Sequence, residues 1–320
     1  MGTGMARVAA VGKVLANVDA TRTRKSAAIN GGRQERQSSA ANSSPPPCGE
    51  GSGVGVGPLG TALPQLLDPP PHPSPTRGEG VAAAQPTPHH DSAEIGTPAL
   101  YRLMTWMSPA YPVGAFSYSG GLEWAVESGD IRDANSLTRW LTAMIRHGSV
   151  SSDAGIFCHA HRAAACGDHD ALAATAELAA ALAGSKERFL ETTAQGQAFL
   201  QATQAAWATP ALDRLTAAWD GPVAYPVVVA VACAGHAIAL VPALHAFLHG
   251  VASNLVSAGV RLVPLGQTDG QRVLAALEAP IAQTVERALA TALDDIGSTT
   301  LRADIAGMRH ETQYTRLFRS

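Results

Sequence analysis

A chain of 320 residues with a formal net charge of −3 lacks the dense basic face that nucleic acid requires, and its length leaves room for two domains. Charged side chains make up 15% of it, against about 25% in a typical soluble domain, so an apolar patch awaiting a partner is expected. The composition is also uneven. All sixteen aromatic residues lie at or after Tyr101, and 13 of the 21 prolines fall between Pro45 and Pro98. A segment that rich in Pro, Gly and Ser, without an aromatic, cannot bury enough apolar area to offset its ordering entropy. Residues 1–96 are therefore expected to be a disordered extension, and residues 97–320 a single all-α domain with a substantial core. The stretch SPTRGEG (74–80) looks like translated intergenic repeat, which favours a true start downstream of Met1; the alternative is a genuine flexible tail.

From Thr97 onward helix punctuation recurs almost without pause, for about ten helices. Thr97 with Pro98 opens a segment carrying Leu100, Leu103, Met104 and Met107. Asp133 opens another, whose Leu137, Trp140, Leu141, Met144 and Ile145 share one face before Gly148. Asp153 reads as the next cap, with an end near Gly167. Asp168 then starts an Ala-rich pattern that continues through SKERFLETTAQGQAFLQATQAAW to Trp207. Thr209-Pro210 restarts the cap signature. Helices are expected over 225–237, 241–263, 269–277 and 280–293, and strand alternation is nearly absent. The most apolar window, Val223 to Val241, is interrupted by His236, which suits a buried core helix better than a membrane span.

The stretch SPAYPVGAFSYSGGLE (108–123) reads as a stiff loop presenting aromatics. Pro109 and Pro112 fix φ, Gly114 supplies a turn, and Ser117 or Ser119 can cap the helix after it. Tyr111, Phe116 and Tyr118 sit in a segment too crowded with Pro and Gly to be ordinary core, and a rigid loop loses little entropy when another surface covers it. Enzyme signatures fail here: neither Ser117 nor Ser119 stands in Gly-x-Ser-x-Gly, and Gly266 to Gln271 lacks the Lys-Ser/Thr of a phosphate loop, so Gly266 marks a turn. Cys158, His159, His161, Cys166 and His169 form a metal-like cluster; Cys158 and His161 share a helix face, and solvated helix residues are the alternative. With Cys48 and Cys233 they contain no CxxC, which points to a reducing compartment. Asn254, Ser257 and Arg261 line one helix face, either as a solvated stripe or as a polar contact at a subunit seam. At the C-terminus, Tyr314, Leu317 and Phe318 interleave with Arg309, Arg316 and Arg319, a composition found at interface hot spots. This tail either meets a partner or folds back on its own domain.

Three of these segments, SPAYPVGAFSYSGGLEWAVESG (108–129), NLVSAGVRLVPLGQTDGQ (254–271) and DIAGMRHETQYTRLFRS (304–320), resemble the UreF family of urease accessory proteins, with weaker agreement over 185–200. The likeness spans about residues 97–320 in order. It implies an all-α, dimerising, non-catalytic scaffold of the cytoplasm that joins UreD (also called UreH), the GTPase UreG and apo-urease for GTP-linked nickel insertion, with no cofactor of its own. It further implies that Tyr111, Phe116, Tyr118, Glu123, Asn254, Arg261 and Gln267 belong to segments concerned with the fold, the dimer and partner surfaces. Arg309, His310, Tyr314, Arg316, Leu317, Phe318 and Arg319 belong to the segment that orders against UreD. A rival without the likeness is a helical metal carrier using Cys158 and His161; a second is a small hydrolase using Ser117 or Ser119. Gly120, where relatives are expected to carry a polar side chain, is a departure, and the Gly120-Gly121 pair is expected to weaken the first helical turn.

Overall fold

The computed structural model describes residues 95–320, so the expectations for the extension, including Cys48, lie outside the described residues. Those described are all-α, with no strand among them. The helices run α1 (Thr97–Trp106), α2 (Leu122–Glu127), α3 (Ala134–His147), α4 (Ser149–Cys166), α5 (His169–Ala181), α6 (Lys186–Ala206), α7 (Pro210–Ala218), α8 (Tyr225–Gly235), α9 (Leu240–Leu262), α10 (Gln267–Ala276), α11 (Glu278–Ala290) and α12 (Leu301–His310).

Local chemistry explains most of these boundaries. Asp133 accepts from the Ser136 amide at 2.7 Å and Ser136 answers the Asp133 amide at 3.0 Å, a reciprocal cap that starts α3. Asp168 caps α5 through the Ala171 amide at 3.0 Å, and Gly167, at φ 71°, ends α4. Three expectations change. The Ala-rich pattern does not run unbroken to Trp207, because Ser185 caps a new helix through the Arg188 amide at 3.1 Å. Asp153 does not open a helix; α4 already begins at Ser149, and the Asp153 carboxylate is spent on Arg188. Thr97 is the first residue of α1, and Gly96 stands at its N-cap.

The core is organised around α8. Every residue from Pro226 to Cys233 is buried, with α4, α6, α7 and α9 packed around it. Val223 to Val241 thus holds a short core helix, and burial pushes the Cys233 thiol well above its ordinary range. The α6–α8 approach is close enough that a Cβ on Gly196 would stand 2.0 Å from the Val223 carbonyl oxygen. An aromatic layer closes one end: Trp106 meets Phe199 edge-on at 6.0 Å, and Tyr111 lies 5.2 Å from Phe199. Among the described residues α9 is the one helix long and apolar enough to cross a membrane by length and composition. Its Ala243, Leu244, Phe247, Leu248 and Leu255 are buried in this core.

Candidate partner-docking site

The loop, α2, α6 and the chain terminus converge on one place. Gly120 and Gly121 both adopt positive φ, 61° and 81°, which a residue with a Cβ rarely accepts. A Cβ on Gly121 would stand 2.8 Å from the Gly307 amide, so this glycine lets α12 lie against the start of α2. Gly121 thus serves the packing of α12, whereas a Cβ on Gly120 would meet Leu255 of α9 at 3.3 Å, and Gly121 rather than Ser117 or Ser119 is the N-cap of α2. Ser119 still accepts from the Glu123 amide of the first turn, at 3.4 Å through its hydroxyl, and it also holds the chain terminus. Its amide donates to the Ser320 carbonyl oxygen at 2.9 Å, and its hydroxyl donates to the same atom.

The tail is clasped along its length. Glu123 is buried and accepts from the amides of Leu317 at 2.7 Å and Phe318 at 3.0 Å. Its second buried neighbour is His310, whose Nε2 lies 3.0 Å from Glu123 Oε2 and whose Nδ1 lies 2.6 Å from Glu187 Oε2. Arg316 donates to the other Glu187 oxygen at 2.7 Å. The Ser320 hydroxyl donates to Glu191 at 2.9 Å, and the Arg319 amide to the Ser117 carbonyl at 2.9 Å. Burial alone would raise the Glu123 carboxyl; hydrogen bonds from His310, Leu317 and Phe318 outweigh that and hold it below the usual carboxylate range. Arg261 reaches over from α9, its guanidinium carbon 4.4 Å from the Phe116 ring centre and 4.5 Å from that of Phe318.

Beside the clasp lies a cavity of about 290 Å³, lined in part by Asp153, Arg188, Glu191, Gln195 and Tyr225. Arg188 pairs with Asp153 and stands 3.5 Å from Glu191. Burial lifts the Asp153 and Glu191 carboxyls, only partly offset by Arg188. Burial works against the Arg188 charge too, but the two carboxylates more than restore it.

The residues singled out from the sequence separate into two sets. Tyr111, Tyr118, Glu123, His310 and Phe318 are buried within the chain, and Tyr111 donates or accepts at 2.8 Å with Thr203, so two of the three loop aromatics are core after all. Phe116, Tyr314 and Leu317 are exposed, as are Arg261, Gln267, Arg309, Arg316 and Arg319, while Asn254 is half-buried. Pro109 and Pro112 are exposed, Gly114 takes φ 71°, and Gly266 is the N-cap of α10. Glu187, Glu191, Arg188 and Ser320 escaped the sequence reading, and Ser119 was read there for other roles. On α12, Leu301, Ile305 and Met308 are exposed at i, i+4 and i+7, along one side of the helix, and Tyr314 and Leu317 of the tail are exposed as well. Phe116→Ala should cost about 0.5–1 kcal/mol in chemical denaturation, the worth of its stacked guanidinium and no more.

The metal-like cluster does not assemble. Cys158 is fully buried with its thiol pushed up to about 11, and His161 Nε2 is 2.9 Å from the Ile238 carbonyl oxygen. His159 faces the Thr291 carbonyl oxygen at 3.0 Å, and Cys166 is exposed. No three His, Cys, Asp or Glu side chains gather as ligands among the described residues. Cys158 and His161, the ligands named for the carrier rival, thus do not come together as a metal site among the described residues. Of the two serines of the hydrolase rival, the Ser119 hydroxyl is buried and donates to the Ser320 oxygen, while Ser117 is half-buried.

The described residues thus form an all-α unit whose C-terminal tail is clasped against α2 and α6. The UreF family model matches residues 131–278. The chain is 57% identical over 242 residues to the urease accessory protein UreF of Rhodopseudomonas palustris strain TIE-1, covering 76% of this chain and 99% of that one. Against the protein of the same name from Bradyrhizobium sp. strain BTAi1 it is 57% identical over 239 residues, 74% of this chain and 99% of the relative. The chain belongs to the UreF family of urease accessory proteins.

Proposed function

We propose that this protein is a non-catalytic scaffold in urease maturation. It joins UreD (UreH) and the GTPase UreG to apo-urease so that GTP hydrolysis is coupled to nickel insertion, and it works in the cytoplasm as a homodimer. Family membership supports the accessory role. What carries the scaffold reading is the run of exposed apolar side chains on α12 and the tail, Leu301, Ile305, Met308, Tyr314 and Leu317, interspersed in sequence with the exposed Arg309 and Arg319, which we read as one docking face. This face is the one assigned to UreD. A second exposed apolar face, Leu100, Tyr101 and Met104 on α1, suits the second copy. Arg261 and Gln267 are assigned to modulation of the GTPase, since a side chain supplied in trans can stabilise a phosphoryl-transfer transition state.

The test is co-elution with affinity-tagged UreD when the accessory set is expressed together. Tyr314→Asp with Leu317→Asp should abolish co-elution and leave helical circular dichroism unchanged, because both side chains are exposed. Retained co-elution would remove the tail from the UreD assignment. Alanine at Arg261 and Gln267 should alter GTP turnover in the assembled complex; unchanged turnover would end that part of the reading.

A further inference from the structure

Helix α9 runs unbroken from Leu240 to Leu262 and carries two histidines at i and i+4, His245 and His249. At that spacing the side chains share one face, with Cβ atoms about 5–6 Å apart. Both rings are free. His249 is exposed; His245 is half-buried, yet neither of its ring nitrogens is enclosed, and neither ring takes a hydrogen bond among the described residues. The interior histidines elsewhere are tied down. His159, His161 and His236 each meet a backbone carbonyl oxygen, and His310 lies between two carboxylates. No lysine, arginine or carboxylate stands on α9 before Arg261, so nothing on that stretch of helix occupies the rings or repels a cation from them.

Two imidazoles one turn apart on a helix face can chelate a late first-row cation, one nitrogen from each ring. The helix fixes their separation in advance, so the second ring binds at a high effective concentration once the first has bound. No third His, Cys, Asp or Glu joins them among the described residues. A structural zinc site is closed by four protein ligands. A pair leaves the other positions to water or to a donor from outside, so an ion held there exchanges. Magnesium and calcium want sets of oxygen ligands, which this face does not supply.

We propose that His245 and His249 form a surface docking point for an exchangeable divalent ion of the late transition metals, the class that includes Ni²⁺, Cu²⁺ and Zn²⁺. Among these Cu²⁺ should be held most tightly, as the general affinity order of nitrogen sites requires. The pair is separate from Cys158 and His161 of α4, whose thiol is buried and whose ring is spent on the Ile238 carbonyl oxygen. It also stands on a different helix from α12 and the tail, so it does not depend on which partner meets that face.

The experiment uses the full chain without an affinity tag, so that His89 and His90 are present in every variant and their contribution cancels. Nickel chloride is the probe, read by equilibrium dialysis and by proton NMR of the histidine rings, because paramagnetic Ni²⁺ broadens the rings that bind it. His245→Ala and His249→Ala should each weaken nickel retention by about tenfold or more, since either change destroys the chelate. The discriminating variant moves the pair by one turn. Val241 is exposed and lies four residues before His245, so Val241→His combined with His249→Ala rebuilds an i, i+4 pair and should recover binding. In the wild type the two ring signals, assigned through the single variants, should broaden together. Nickel held equally well by the wild type and both single variants overturns the proposal, as does a Val241→His, His249→Ala chain that binds no better than His249→Ala. Should a variant lose its helical circular dichroism, the wild-type rings decide alone, and broadening confined to other histidines overturns the assignment.

Discussion

Glu123→Ala should free residues 311–320 while the helices from α1 to α11 stay folded. The carboxylate is the one acceptor for three tail donors, the amides of Leu317 and Phe318 and the ring of His310. Hydrogen bonds to a charged group contribute about 1.5–3 kcal/mol each, and the variant loses three of them at one buried carboxylate. The rest of the clasp is smaller: one stacked ring, an ion pair from the exposed Arg316, and the terminal contacts at Ser119 and Glu191. Loss of the Glu123 group therefore exceeds what remains. Trypsin should cut after Arg316 at least tenfold faster in the variant, and co-elution with UreD should fall as it does for the Tyr314 and Leu317 double variant. An unchanged cleavage rate would show that the tail is held by its edges and not by Glu123.

The same geometry dictates how a truncation must be made. Removing residues 309–320 takes away His310, which lies between Glu123 of α2 and Glu187 of α6, so any loss of function would mix loss of that link with loss of the tail. Ending the chain after His310 keeps the imidazole between the carboxylates and removes only the docked segment. Tags at the C-terminus carry a related penalty, because the Ser320 carbonyl oxygen is bonded to Ser119 and the residue is buried.

What could be read in advance follows the range over which each interaction acts. Caps are local, so Asp133 and Asp168 announced α3 and α5 correctly, and the apolar run around Val227 to Cys233 announced a core helix. The same locality misled at Asp153. An aspartate five residues after a glycine looks like a cap, and nothing nearby in sequence reveals an arginine 35 positions away that needs it more. Helix α12 was missed for a similar reason: it follows a segment without a side-chain cap, and its i, i+4, i+7 stripe of Leu301, Ile305 and Met308 points outward. The clasp joins positions 123, 187 and 310, and no periodicity links them. The interleaved Arg and aromatic residues of the tail marked it as adhesive. That signal could not say whether Phe318 or Leu317 faces inward, a choice set by the Glu123 carboxylate taking both of their amides.

Arg188→Met should destabilise the fold by about 3–5 kcal/mol at pH 8, the usual cost of stripping one partner from a buried ion pair. Methionine keeps the unbranched stem of the side chain as far as the Nε position, so the packing of the stem is retained and what is removed is the guanidinium group. Asp153 and Glu191 would remain beside the cavity with no counter-charge, and burial already lifts both carboxyls above their unfolded values near 4. The sign of the pH dependence follows. Between the unfolded and the raised folded values the native state binds more protons, so the native fold gains stability as pH falls. The gap between wild type and variant, measured by urea denaturation, should therefore shrink from pH 8 to pH 5. Asp153→Asn, Arg188→Met and Glu191→Gln together should recover most of the loss at pH 8, because no uncompensated charge then remains. A gap that stays constant with pH, or a triple variant no better than Arg188→Met alone, would mean that Arg188 acts through packing around the cavity and not through its charge.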